Sequence, residues 1–127
     1  MDQKTSENLS SPQWVSIGHL KDIAPLGCKR VKRPLGVEGA EIAVFRAHGD
    51  AVFAVLDECP HKGGPLSQGM VFGQSVACPL HNWTFDLSSG QVQSPDEGSV
   101  QTFSVKTVGE EIFLDRGELM KPSGAPR

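Results

Sequence analysis

The stretch IAVFRAHGDAVFAVL, from Ile42 to Leu56, places two short runs rich in Val, Ile and Phe on either side of Ala47-His48-Gly49-Asp50. Branched and aromatic side chains suit a pleated strand, and a glycine-containing break of hairpin length between two such runs suits an antiparallel pair. Working outward, the same kind of run returns at Trp14 to Ile17, Ser75 to Ala77, Thr84 to Leu87, Val100 to Val108 and Ile112 to Leu114. Gly73-Gln74, Ser88-Ser89-Gly90 and Gly109-Glu110 supply further turns. Fourteen Gly and nine Pro in 127 residues punctuate the chain too often for long helices, and Leu20 to Ile23 is the one candidate for a helical turn. These observations predict an all-β chain, an antiparallel sandwich or a partly open barrel. Between Val100 and Val108 the alternation is imperfect, so periodicity does not say which face of that strand is buried.

The two ends read differently. Residues 1–12 (MDQKTSENLSSP) carry one Leu among polar side chains, and ordering them would recover little burial against the entropy lost. Glu118 to Arg127, with Pro122, Gly124 and Pro126, reads the same way. The expectation is one domain over residues 13–117 between two flexible tails, 1–12 and 118–127. Twelve Lys and Arg against fifteen Asp and Glu give a net charge of −3, the wrong sign for a surface that must hold nucleic-acid phosphates. The longest apolar run, Ala51 to Leu56, falls far short of the ~20 residues that span a bilayer, and the polar N-terminal residues show no export signal. A cytoplasmic protein is expected, with neither nucleic acid nor membrane as a partner.

Two stretches fit no strand: CPHKGGPLSQGM, Cys59 to Met70, and CPLHNW, Cys78 to Trp83. They place a thiol and an imidazole together twice, as Cys59-Pro60-His61 and Cys78-Pro79-Leu80-His81. Two loops of mixed donors, over residues 57–70 and 76–90, can clasp a binuclear 2Fe-2S cluster from both sides. Cys59 and Cys78 would ligate one iron and His61 and His81 the other, the ligation of a Rieske centre. Gly63 and Gly64 would let the backbone approach the cluster, and Pro60, Pro65 and Pro79 stiffen the loops. Structural zinc is the competing metal, but a two-Cys, two-His finger pairs Cys with Cys and His with His on a ββα unit, and here each half is mixed with no helix following. A disulfide between Cys59 and Cys78 is disfavoured in a reducing compartment. Bystander histidines would have to fall beside Cys-Pro twice by coincidence.

The wording of these loops, followed by Ser94-Pro95-Asp96-Glu97-Gly98 ahead of a Val-Gln-Thr-Phe strand, resembles the small subunit of the assimilatory NAD(P)H-dependent nitrite reductase. The ligand motif by itself specifies a Rieske domain; the CPHKGGPLSQG run together with the PDEG segment carries the finer resemblance, which extends from Trp14 to Leu114. It implies a Rieske ferredoxin-like fold, an antiparallel β-sandwich with a small cluster-binding subdomain of two hairpin loops. It also implies a large-subunit partner bearing FAD, a 4Fe-4S cluster and sirohaem, where nitrite becomes ammonium. The small chain would transfer electrons and not be catalytic alone, and no G-x-G-x-x-G follows any strand-like run. A Rieske ferredoxin feeding an aromatic-ring dioxygenase would use the same fold and ligands. A structural or assembly subunit would need the cluster only to brace its loops.

The resemblance also bears on the redox potential. High-potential Rieske proteins of respiratory complexes carry an extra Cys in each ligand loop, joined as a disulfide, and Ser and Tyr hydroxyls near the cluster. Here Leu80 and Lys62-Gly63-Gly64 stand where the loops would hold Cys, and Trp83 and Phe85 stand where the hydroxyls would be. A low potential for the class is implied.

Other residues carry weaker signals. Cys28 lies far from both loops and reads as a plain thiol. Lys29 to Arg33 reads as a solvated strand edge in preference to a docking patch, since alternation points its charges to opposite faces. His19 and His48 are given no role. Asp57, Glu58, Asp86, Asp96 and Glu97 outnumber Lys62 around the loops and form either a steering face for a partner or a merely soluble rim.

Overall fold

The computed structural model describes residues 13–34, 36–60, 64–79, 83–93 and 98–121. Among the described residues ten strands run as β1 Trp14–His19, β2 Cys28–Val31, β3 Ile42–Arg46, β4 Val52–Leu56, β5 Met70–Phe72, β6 Ser75–Ala77, β7 Thr84–Asp86, β8 Thr102–Phe103, β9 Val105–Val108 and β10 Glu111–Asp115, followed by a short helix α1, Arg116–Met120. Every strand pair is antiparallel, in three sheets ordered β1-β10-β9, β2-β3-β4-β8 and β5-β6-β7. The all-β antiparallel fold expected from the sequence is the one observed. Leu20–Asp22 forms a single 3-10 turn, as its sequence suggests.

Ile42, Ala43, Val44 and Phe45 of β3 are all fully buried, so this central strand is covered on both faces and its sequence shows no alternation. Strand β10 behaves as a one-faced strand: Ile112 and Leu114 are buried, while Glu111, Phe113 and Asp115 around them are half-buried. The imperfect alternation across residues 100–108 has a structural cause. Thr102–Phe103 pairs with β4 in the four-stranded sheet, whereas Val105–Val108 pairs with β10 in another, and the chain changes sheet at Ser104. Its amide and hydroxyl both donate to the Glu118 carboxylate, at 2.7 and 2.9 Å.

That contact also places the C-terminal boundary. Of the tail expected from Glu118 onward, Glu118 to Met120 lie in α1: the Asp115 carboxylate accepts from the Gly117 amide as an N-cap, and Leu119 is buried. Arg33 adds a link from across the fold, donating to the carbonyls of Ala40 and Leu119. Residues 1–12 and 122–127 lie outside the described residues.

Candidate metal centre

The three-stranded sheet β5-β6-β7 carries the two candidate loops, one leading into it from β4 and one joining β6 to β7. Cys59 and Cys78 are each 1% exposed, although both lie in loops. Both loops close in the same way. The Cys59 amide donates to the Gly64 carbonyl at 2.8 Å, and the Cys78 amide donates to the Trp83 carbonyl at 2.7 Å, so each turn is pinned five residues on from its cysteine. His61 and His81, the other two expected ligands, lie outside the described residues, as do Lys62, Gly63, Leu80 and the segment 94–97.

Behind the first loop, Leu66 is fully buried in a 3-10 turn, Leu66–Gln68, that ends at Gly69. Gly69 presses on the residue just before Cys78. A Cβ there would overlap the Ala77 carbonyl oxygen and sit 3.1 Å from the Leu66 carbonyl oxygen. The exit of one loop and the entry of the other are thus held in backbone contact at a position only glycine fits. A second link ties the subdomain to the sandwich: the His48 amide, in the β3–β4 turn, donates to the Gly73 carbonyl in the β5–β6 turn at 3.0 Å. After the second loop, Trp83 packs at a tilt against the fully buried Phe85, with ring centroids 6.2 Å apart.

Asp57, expected on an acidic rim, is instead buried, its side chain 2% exposed. One carboxylate oxygen accepts from the Ser67 amide at 2.7 Å; the other accepts from the Ser67 hydroxyl at 2.8 Å and faces the Arg30 guanidinium at 3.2 Å. A buried carboxylate requires such partners to offset its desolvation. Arg30 in turn meets Glu41 at 3.0 Å, so this part of the Lys29–Arg33 run is committed to ion pairing. Nothing in the sequence marks Asp57 for this role, since Ser67 and Arg30 reach it from other elements. Asp86 stays at the surface, with its carboxyl held below the usual range by the Ser88 hydroxyl and then by the Ser88 amide.

Cys28 is set apart from the loops on β2, opposite Phe45 of β3. Burial, with the Asp57 charge second, pushes its thiol from an ordinary 9.0 up to about 12. A metal-binding thiolate needs the opposite shift, so Cys28 stays a plain thiol. None of the three cysteines is in a disulfide.

Two buried thiols at matching backbone-bonded positions suit an iron–sulfur group, whose cysteine ligands must be shielded and fixed. No helix among the described residues is long and apolar enough to cross a membrane. Comparison with known proteins agrees with the donor chemistry. Residues 13–104 match the family model of the Rieske [2Fe-2S] domain. The ferredoxin component of a naphthalene 1,2-dioxygenase system from Pseudomonas aeruginosa is 31% identical over 62% of this chain and 76% of its own length. A 4beta-methylsterol monooxygenase from Methylococcus capsulatus is 30% identical over 98% of this chain, which spans only 35% of that protein. Among solved structures, a protein provisionally described as an NADPH nitrite reductase small subunit superimposes with a TM-score of 0.67 at 27% identity, covering 80% of this chain and 97% of the other. By its matched residues and its paired loops alike, the chain belongs to the Rieske family, as an electron-transfer protein whose cofactor is a Rieske-type 2Fe-2S cluster.

Proposed function

We propose that this chain is the electron-transferring small subunit of an NAD(P)H-dependent nitrite reductase, with Cys59 and Cys78 on one iron of its cluster and His61 and His81 on the other. The observation that carries the reading is the pair of loops itself. Their wording, CPHKGGPLSQGM and CPLHNW with SPDEG beyond, resembles that of the nitrite reductase small subunit, and their two cysteines are buried at matching hydrogen-bonded positions. The solved nitrite reductase small-subunit relative, matched over nearly its whole length, supports it. In this role the bound cluster supplies one-electron chemistry, and the chain's own residues hold it, shield its cysteines and aim the loops at a partner. Nitrite reduction itself belongs to a large subunit carrying FAD, a 4Fe-4S cluster and sirohaem, in the cytoplasm.

The dioxygenase-type ferredoxin component from Pseudomonas aeruginosa favours a second reading, a Rieske ferredoxin that feeds an aromatic-ring oxygenase. Anaerobically purified protein separates these readings. It should hold about two irons and two acid-labile sulfides per chain. Its cluster should be reduced by NAD(P)H through a sirohaem-bearing nitrite reductase large subunit, and nitrite turnover by that subunit should rise on its addition. Reduction and turnover only with an oxygenase system would replace the first reading with the second; zinc in place of iron would overturn both.

A further inference from the structure

The first ligand loop rests on a charged group that electron transfer, as described so far, does not use. Asp57 lies two residues before Cys59, and its buried carboxylate takes both donors of Ser67 from the far end of the same loop. Its backbone is fixed as well, the Asp57 amide donating to the Glu41 carbonyl at 2.9 Å. Arg30 closes the arrangement from β2, spanning Asp57 and Glu41. A carboxylate buried to this degree is costly unless it is held, and among the described residues Ser67 in the ligand loop and Arg30 on β2 hold it.

Resting on the ligand assignment above, we propose that Asp57 is a positioning residue of the iron–sulfur centre. Through Ser67 it clamps both ends of the Cys59 loop, and with Arg30 it forms a fixed charge pair beneath the loop that biases the cluster's potential. One-electron reduction adds a negative charge to the cluster. A fixed anion nearby disfavours that state and a fixed cation favours it; burial strengthens the effect of Asp57, whereas solvent partly screens Arg30, whose side chain is 55% exposed. The two halves of the pair therefore act in opposite directions.

The test uses the full-length holoprotein. Asp57→Asn keeps the shape and an acceptor for the Ser67 amide but removes the charge; Arg30→Gln removes the opposing one; Ser67→Ala removes the hydroxyl arm of the clamp, keeps its backbone-amide arm and leaves both charges. The midpoint potential should move up in Asp57→Asn and down in Arg30→Gln, and stay near wild type in Ser67→Ala. Iron loss to a chelator should quicken severalfold in Asp57→Asn and Ser67→Ala. A merely structural role would weaken iron retention with no opposed shifts in potential, so potentials that are unchanged, or move in the same direction, overturn the charge role. Wild-type chelator kinetics in Ser67→Ala overturn the hydroxyl arm of the clamp, and should Asp57→Asn not fold, the other two variants still decide. Wild-type protein without iron would refute the ligand assignment itself and the proposal with it, whereas an intact wild-type cluster with unaffected variants refutes only the proposal.

Discussion

Cys28 shows how one side chain ties burial to pH. In the folded chain its thiol keeps its proton to about pH 12, while an unfolded thiol releases it near 9.0. Between those values the folded state is the better proton binder, so the stability drawn from this group is intact below pH 9.0 and is lost as the pH climbs toward 12. Urea midpoints measured on either side of pH 9.0 should fall more steeply for the wild type than for Cys28→Ser, and no tyrosine titrates in that window to obscure the comparison. The same variant should keep its iron. At this scale the sequence exposes Cys59 and Cys78 as the proposed ligands, because such a motif is local and each cysteine sits within a few residues of a histidine. Asp57 is hidden for the opposite reason. Its meaning comes from Arg30 and Ser67, which only the folded chain brings to it.

Among elements, the strands that read most clearly are those with Val, Ile and Phe in unbroken runs, and β3, β4 and β6 have the bounds their composition suggests. Strand β2, Cys28–Val31, gives no such signal because two of its four residues are basic, and its propensity is overridden by pairing with the buried β3. Strand β5, Met70–Phe72, reads in the sequence as the end of a loop; it is three residues long and shows Met70 and Phe72 to solvent. The glycines near the loops likewise differ in ways that composition cannot reveal. Gly69→Ala would force a methyl into the Ala77 carbonyl and part the two loops, whereas a methyl at Gly73, where φ is +57°, would meet nothing within 4 Å. Overpacking at Gly69 should cost about 2 kcal/mol and reduce bound iron. Gly73→Ala should cost about 1 kcal/mol and leave iron content alone. Denaturant unfolding and iron assay of the two variants side by side check the distinction.

Taken whole, the molecule is a β-sandwich that presents two short loops, and its electronic character is set where they meet. The positions at which high-potential relatives of this fold carry hydroxyls hold Trp83 and the fully buried Phe85, and Cys28, the one cysteine outside the ligand loops, is away on β2. Hydrogen bonds to sulfur stabilise the reduced cluster, so their loss lowers the potential. Redox titration followed by EPR at neutral pH should give a midpoint near the bottom of the Rieske range, roughly −150 mV, and a value toward its +300 mV extreme would show that other groups set it. The matching pins across the two loops have a consequence for how such a protein is made. The Cys59–Gly64 and Cys78–Trp83 bonds, the Asp57–Ser67 clasp and the Gly69–Ala77 contact are all made by protein to protein. These links predict that metal affinity is not spent on folding, unlike in a zinc finger, where binding and folding are one event. Chelator-treated chain should keep its β-sheet circular dichroism and unfold cooperatively, then regain its colour when iron and sulfide are restored. On that outcome, maturation of this protein is the loading of a finished receptacle, and the supply of clusters, not the supply of folded chains, governs how much of it can carry electrons.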